Sequence, residues 1–235
     1  NAGSDTGSVA SGTFIVNFAP TANTDIDLSG GTFTIVDPHY TTTDTFQCSI
    51  PTAGATAATG THTFRFGDGI STDNGGTSGF AFYSWNGTGI FKFKNVILET
   101  VTGGTNRFFL ASGTYRNTVI TGDLTINPGA EFRNAGTSTS SGASYFLGNI
   151  INNGTFTSLG GVVFADAVSA SSLSLTVSPA TNAQTISGNG IFRNLTTSPT
   201  ANFTSLTINN SSTGGVNFSN ANSLLSGSNT GTVSG

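Results

Sequence analysis

Apolar and polar residues alternate with a period of two along most of this chain, and that period sets the expected secondary structure. Residues 13–18, 32–36, 63–66, 89–94, 107–110, 123–126, 172–177 and 203–208 each read as a short strand with one apolar face. No window sustains apolar residues at i, i+3, i+4 and i+7 without Gly or clustered β-branched residues, so no helix is expected. Turn residues separate the runs at 29–31, 74–76, 127–129, 152–154, 188–190 and 214–215. Turn and strand recur together as a Gly followed closely by a Phe. The pairs are Gly12/Phe14, Gly31/Phe33, Gly89/Phe91, Gly129/Phe132, Gly154/Phe156, Gly161/Phe164, Gly190/Phe192 and Gly215/Phe218.

Several of these pairs lie 19 to 26 residues apart, and sequence periods above about 20 mark stacked repeats. The expected fold is therefore all-β: a right-handed parallel β-helix (a solenoid) with about 20–26 residues per rung and its Phe residues stacked in an internal ladder. A β-sandwich is the alternative, and a propeller would need a longer period. Residues 1–235 read as one segment, with less regular rungs carrying loop insertions over 1–115 and more regular rungs over 116–235. The chain has no Met and no distinct capping segment, so it is expected to be a fragment of a longer chain.

Composition narrows the function. Gly, Thr, Ser and Asn make up 124 of 235 residues, yet 19 Phe keep the mean hydropathy near zero, which argues for an ordered β protein over a disordered one. Only 18 residues are charged, the net charge is −4, and residues 134–235 carry just Asp166 and Arg193. No basic stripe exists to displace counterions from phosphate, so nucleic acid is not an expected partner. With no apolar run of spanning length and no basic amphipathic helix, neither membrane insertion nor peripheral membrane binding is expected. Cys48 is alone, so stability must come from packing and not from an intramolecular disulfide.

The segment Leu147-Gly148-Asn149-Ile150-Ile151-Asn152-Asn153-Gly154-Thr155-Phe156-Thr157 resembles the rungs of large secreted repeat proteins of the Bacteroidota. Residues 203–216 are similar to a second rung type in the same proteins, and the likeness is best over 118–235. In that family such modules sit in very long chains exported by the type IX secretion system, many of them adhesins. The resemblance implies an extracellular, cell-surface or secreted protein whose partners are further segments of the same long chain or other surface molecules.

Three sets of residues carry candidate chemistry. Tyr83 and Trp85 alternate onto one face of a strand opposite Phe82, with Asn86 beside them, and aromatics next to amides are a way to stack on glycans. Residues 66–76 form a Gly-rich loop in which Asp68, Asp73 and Asn74 offer the hard oxygen ligands that Ca²⁺ takes, although the spacing matches no standard calcium loop. Ca²⁺ is the only cofactor the residues invite. His39 and His62 lie 23 residues apart, about one rung, but without companion ligands they read as satisfied polar residues. The third set is the triplet Asn23-Thr24-Asp25 with Asp27, similar to one motif of polygalacturonase-type hydrolases. The further motifs of that family, an Asp-Asp pair, a Gly-His-Gly and an Arg-x-Lys, do not occur.

The expected function is a non-catalytic structural or adhesive segment of an extracellular surface or filament protein. A carbohydrate-binding module, with or without Ca²⁺, is the alternative, and a polysaccharide-cleaving β-helix enzyme stands third.

Overall fold

The computed structural model describes residues 16–18, 30–36, 46–49, 55–57, 61–72, 80–85, 90–100, 102–103, 107–110, 118–133, 144–158, 161–164, 167–171, 174–178, 184–194, 205–209, 216–218 and 231–234. All regular structure among them is β-strand. Numbered in chain order, the strands assemble into three sheets. Sheet I runs β2 (Thr32–Ile35), β5 (Thr63–Phe66), β8 (Asn95–Leu98), β11 (Leu124–Ile126), β14 (Ile150–Asn152), β19 (Gln184–Ser187), β22 (Val216–Phe218). Sheet II runs β1 (Val16–Phe18), β3 (Phe46–Ser49), β6 (Phe80–Trp85), β9 (Arg107–Leu110), β12 (Glu131–Arg133), β15 (Thr155–Ser158), β20 (Ile191–Asn194). Sheet III runs β4 (Ala55–Ala57), β7 (Ile90–Phe93), β10 (Thr118–Ile120), β13 (Ser144–Phe146), β16 (Gly161–Phe164), β21 (Ser205–Asn209), β23 (Gly231–Ser234).

From β2 to β16 the chain visits sheets I, II and III in strict rotation, and it does so again from β19 to β22. Each strand therefore pairs in parallel with the strand one full circuit away. Among the described strands the single antiparallel pair is β17 (Ala167–Ser171) with β18 (Ser174–Ser178), a hairpin set between β16 and β19. The sandwich alternative requires antiparallel pairing throughout and is at odds with this order.

Alternation decides which residues face inward. In β5 and β8 every second residue is buried, as it is in β11 and β14. Parallel pairing without register slip then places like on like. Phe33, Phe64, Val96, Leu124, Ile150, Ile186 and Phe218 form one register column of sheet I. Sheet II has the corresponding column Phe80, Phe108, Phe132, Phe156 and Phe192. Phe132 and Phe156 pack with ring centroids 4.9 Å apart, and Phe146 of sheet III meets both at 5.9 and 5.8 Å, so the two sheets share one core. Burying each such ring contributes about 1.5–3 kcal/mol, and each aromatic pair about 0.5–1.5 kcal/mol more.

The repeat is longer than the sequence period implies. Successive members of the sheet I column are 31, 32, 28, 26, 36 and 32 residues apart, not 20–26. The Gly–Phe pairs mislead because they do not share one sheet. Phe132, Phe156 and Phe192 do share a register column, but Phe33 and Phe218 belong to sheet I and Phe91 and Phe164 to sheet III. The longest interval, Ile150 to Ile186, contains the β17–β18 hairpin.

Polar side chains hold the corners between sheets. Entering sheet I, Asn95 Oδ1 accepts the Asp123 N–H at 3.0 Å, Asp123 Oδ1 accepts the Asn149 N–H at 2.9 Å, and Asn149 Oδ1 accepts the Thr185 N–H at 2.8 Å. One circuit earlier, His62 Nε2 accepts the Lys94 N–H at 3.0 Å, which requires a neutral ring at that nitrogen. Each link ties one circuit to the next where no strand pairing can. Asn149→Ala removes the bond that Asn149 Nδ2 donates to Asp123 Oδ1 at 3.0 Å and leaves the Thr185 N–H without its acceptor. A loss of roughly 1–3 kcal/mol is expected in urea unfolding, and Asn149→Asp should not rescue it, because its carboxylate would face Asp123 Oδ1 where the amide donated.

Candidate functional site

The two sets of candidate binding residues fall in different places. Asp68 lies just past β5, at the corner where the chain leaves sheet I, and Tyr83 and Trp85 lie in β6 of sheet II.

At the Asp68 corner the backbone turns through Gly67 and Gly69, both with positive φ. Asp68 then folds its carboxylate back on its own loop. Oδ1 accepts the N–H groups of Ile70 and Ser71 at 3.0 and 2.8 Å, and Oδ2 accepts the Ser71 hydroxyl. This is the turn chemistry expected of an Asp two residues before a free backbone N–H. Burial pulls the Asp68 carboxyl upward, but the bonds from Ser71 and Ile70 and the nearby Arg65 guanidinium outweigh it and hold it below its ordinary value of 3.8. Three donors on two oxygens leave little lone-pair capacity for a cation. Asp73 and Asn74, its expected fellow ligands, lie outside the described residues. Among the described residues no group of three His, Cys, Asp or Glu side chains converges.

A network absent from the sequence expectations anchors this loop. Arg65 donates to Glu99 Oε2 from both Nε and Nη2, and its Nη2 also donates to the Asp68 carbonyl at 2.9 Å. Glu99 in turn accepts the Asn127 Nδ2–H at 2.8 Å on Oε1, so the bonds span three consecutive circuits. The loop is further pinned by Gly69 N–H to Thr100 O and Thr102 N–H to Ser71 O, at 2.8 and 2.7 Å. Ile70 projects from it 80% exposed. Because the Asp68 carboxyl is depressed in the fold, its contribution to stability is complete above the ordinary value and is lost as pH falls through the folded value. Asp68→Ala is therefore expected to lower thermal stability modestly at neutral pH and to have a smaller effect in strong acid. A variant equally destabilised at both extremes would contradict this role.

Tyr83 and Trp85 occupy β6 positions that alternate with Phe80 and Phe82. Phe80 shares a register column with Phe132, and Tyr83 and Trp85 fall on the alternate set of strand positions, paired with Gln47 and Ser49 of β3. Asn86 lies outside the described residues, as do His39 and the 23–27 segment. His62 is buried and contacts Phe64 edge-on at 5.5 Å.

Sequence reasoning also passed over Glu131 and Thr157. Both alternate with core Phe residues, yet both are buried, Glu131 at 3% exposure, and Thr157 Oγ1 donates to Glu131 Oε1 at 2.7 Å. The bond runs diagonally between β12 and β15, whose register sets Glu131 against Thr155 and Arg133 against Thr157, and 26 residues separate its ends in the sequence.

Comparison with protein-family models, with curated proteins and with solved structures returns no match. The fold itself defines the class: an all-β protein built of parallel sheets. Among the described residues no helix is long and apolar enough to cross a membrane.

Proposed function

We propose that the chain is a length of right-handed parallel β-helix that serves as a non-catalytic structural or adhesive segment of an extracellular bacterial surface or filament protein. The observation that carries this reading is the rotation of the chain through three parallel sheets with unbroken register columns. A right-handed crossover is the sense that parallel strand connections adopt almost without exception. Such a stack grows by repetition and suits a stiff spacer, with circuits contacting mainly their neighbours. The paucity of charge, and the commitment of Asp68, Asp123, Glu99 and Glu131 to structural hydrogen bonds, favour a scaffold over acid–base chemistry. The resemblance of residues 147–157 and 203–216 to type IX secretion substrates supports the extracellular setting, while the export route is not read from this segment.

A second reading, a carbohydrate-binding module, is favoured by the register of Tyr83 and Trp85, which alternate with the column that Phe80 shares with Phe132. Glycan-array binding, run with and without a calcium chelator, separates the two. The scaffold reading expects uniform background, and selective binding lost in Trp85→Ala would replace it with the second. Turnover of pectin or alginate that disappears in Asp25→Ala and Asp27→Ala would overturn both.

A further inference from the structure

The corner between sheets I and II contains two Asn-Gly dipeptides, Asn153-Gly154 and Asn189-Gly190, stacked one circuit apart. The Asn189 N–H donates to Asn153 Oδ1 at 3.4 Å. Asn-Gly is chemically the most labile asparagine setting, because glycine leaves the following backbone nitrogen sterically open. That nitrogen loses its proton and attacks the asparagine Cγ; ammonia leaves and a five-membered succinimide forms. Water then opens the ring at either carbonyl, giving aspartate or isoaspartate. One water is consumed and one ammonia released, with no change of oxidation state.

The fold imposes this liability on itself. A Cβ at Gly154 would sit 2.4 Å from the Ala130 carbonyl oxygen and 2.5 Å from that of Asn127. At Gly190 it would sit 2.4 Å from Asn152 Oδ1 and 2.5 Å from the Gly154 carbonyl oxygen. Neither glycine can be exchanged without pushing neighbouring circuits apart. Both asparagines are exposed, so water has access to them.

The same corner holds both attacking nitrogens. Gly154 N–H donates to Asn152 Oδ1 at 3.1 Å, and Gly190 N–H donates to the Asn152 backbone carbonyl at 2.7 Å. Asn152 is itself fully buried, and its Nδ2 donates to the Ile191 carbonyl at 3.1 Å, which fixes the orientation of its amide. Either nitrogen must break its bond and swing toward the Cγ of its own neighbour before it can react. This explains why a polar residue ends an otherwise apolar column in which Ile35, Phe66, Leu98 and Ile126 precede Asn152.

We propose that Asn153 and Asn189 are deamidation sites that Asn152 holds shut in the folded corner and that react only when this corner opens. Conversion replaces a neutral amide with a carboxylate, and the isoaspartate product adds a backbone carbon that offsets the register of β15 or β20. Each site is thus a permanent chemical record of opening. The inference rests on the corner geometry and is independent of the scaffold reading.

The test is prolonged incubation of the whole chain at mildly alkaline pH, with and without guanidinium, followed by peptide mapping that separates aspartate from isoaspartate. Both sites are expected to convert at least about tenfold more slowly in the folded chain, since reaction must await opening. Asn152→Leu removes the side-chain acceptor but keeps the backbone carbonyl, so Asn153 should accelerate while Asn189 does not. Equal rates in folded and unfolded chain would overturn the proposal whatever the variants do. Equal acceleration of both sites in an Asn152→Leu chain with native circular dichroism would overturn the assigned role of the Asn152 side chain.

Discussion

Phe156→Ala is expected to destabilise the protein by about 3–5 kcal/mol, enough to unfold much of the population of a marginally stable domain. Phe156 is fully buried and lies where sheets II and III meet. Its ring packs on Phe132 at 4.9 Å and on Phe146 at 5.8 Å, and its register partners on either side are Phe132 and Phe192. Truncation removes the transfer contribution of the ring and opens a cavity that parallel strands on both sides prevent from collapsing. Phe156→Leu, which keeps most of the volume, should cost roughly half as much. Ile191, in the adjacent strand, is 49% exposed on the other face, and Ile191→Ala should stay within about 0.5 kcal/mol. Chemical denaturation of the three variants checks the order. A Phe156→Ala variant as stable as Ile191→Ala would mean that the aromatic column does not form the core.

Gly188→Ala should be the most damaging substitution outside the core. Its φ of +101° is unfavourable for any residue with a side chain, and an added Cβ would lie 2.1 Å from the Asn152 carbonyl oxygen and 2.6 Å from its carbon. Strain accounts for about 1–3 kcal/mol and overpacking for a similar amount. Gly31 separates the two causes: its φ is +85°, but a Cβ there meets nothing within 4 Å. Gly31→Ala should therefore show the strain alone. If the two variants proved equally stable, the close stacking of successive corners would be wrong.

Much of the strand content was legible from alternation. The runs at 63–66, 107–110 and 32–36 coincide with β5, β9 and β2 to within a residue, because a half-buried strand leaves a period-two trace. The lack of helix among the described residues and the stacking of Phe132 on Phe156 also follow from the residues. The division into three sheets does not. Register depends on circuit length, and circuits vary from 26 to 36 residues because turns absorb insertions such as the β17–β18 hairpin. A Gly–Phe pair looks the same in all three sheets, so Phe33, Phe132 and Phe164 merge into a single apparent repeat. The 172–177 run, which reads as one more stacked strand, overlaps the antiparallel β18.

The site was less legible, for a related reason. An Asp in a Gly-rich loop has the same appearance whether its oxygens face a cation or its own backbone, and the bonds to Ile70 and Ser71 become visible only once the loop is folded. Asn95, Asp123 and Asn149 are indistinguishable by composition from other Asn and Asp residues until the circuits align them. The Arg65–Glu99–Asn127 network joins residues 34 and 28 positions apart, and no local motif announces it.

The stack can be measured along its axis. Thr34, Thr125, Ile151 and Ser187 share one register column on the outward positions of sheet I, with Arg65 and Ile97 between the first two. In a Cys48→Ser background, one spin label at Thr34→Cys is paired in turn with a second at Thr125→Cys, Ile151→Cys or Ser187→Cys. Pulsed electron resonance should give backbone separations of about 14, 19 and 24 Å, rising by one inter-strand spacing of about 4.8 Å at each step. Distances that fail to rise in that order, or that vary independently of the register, would contradict the stacked parallel sheets on which the whole account stands.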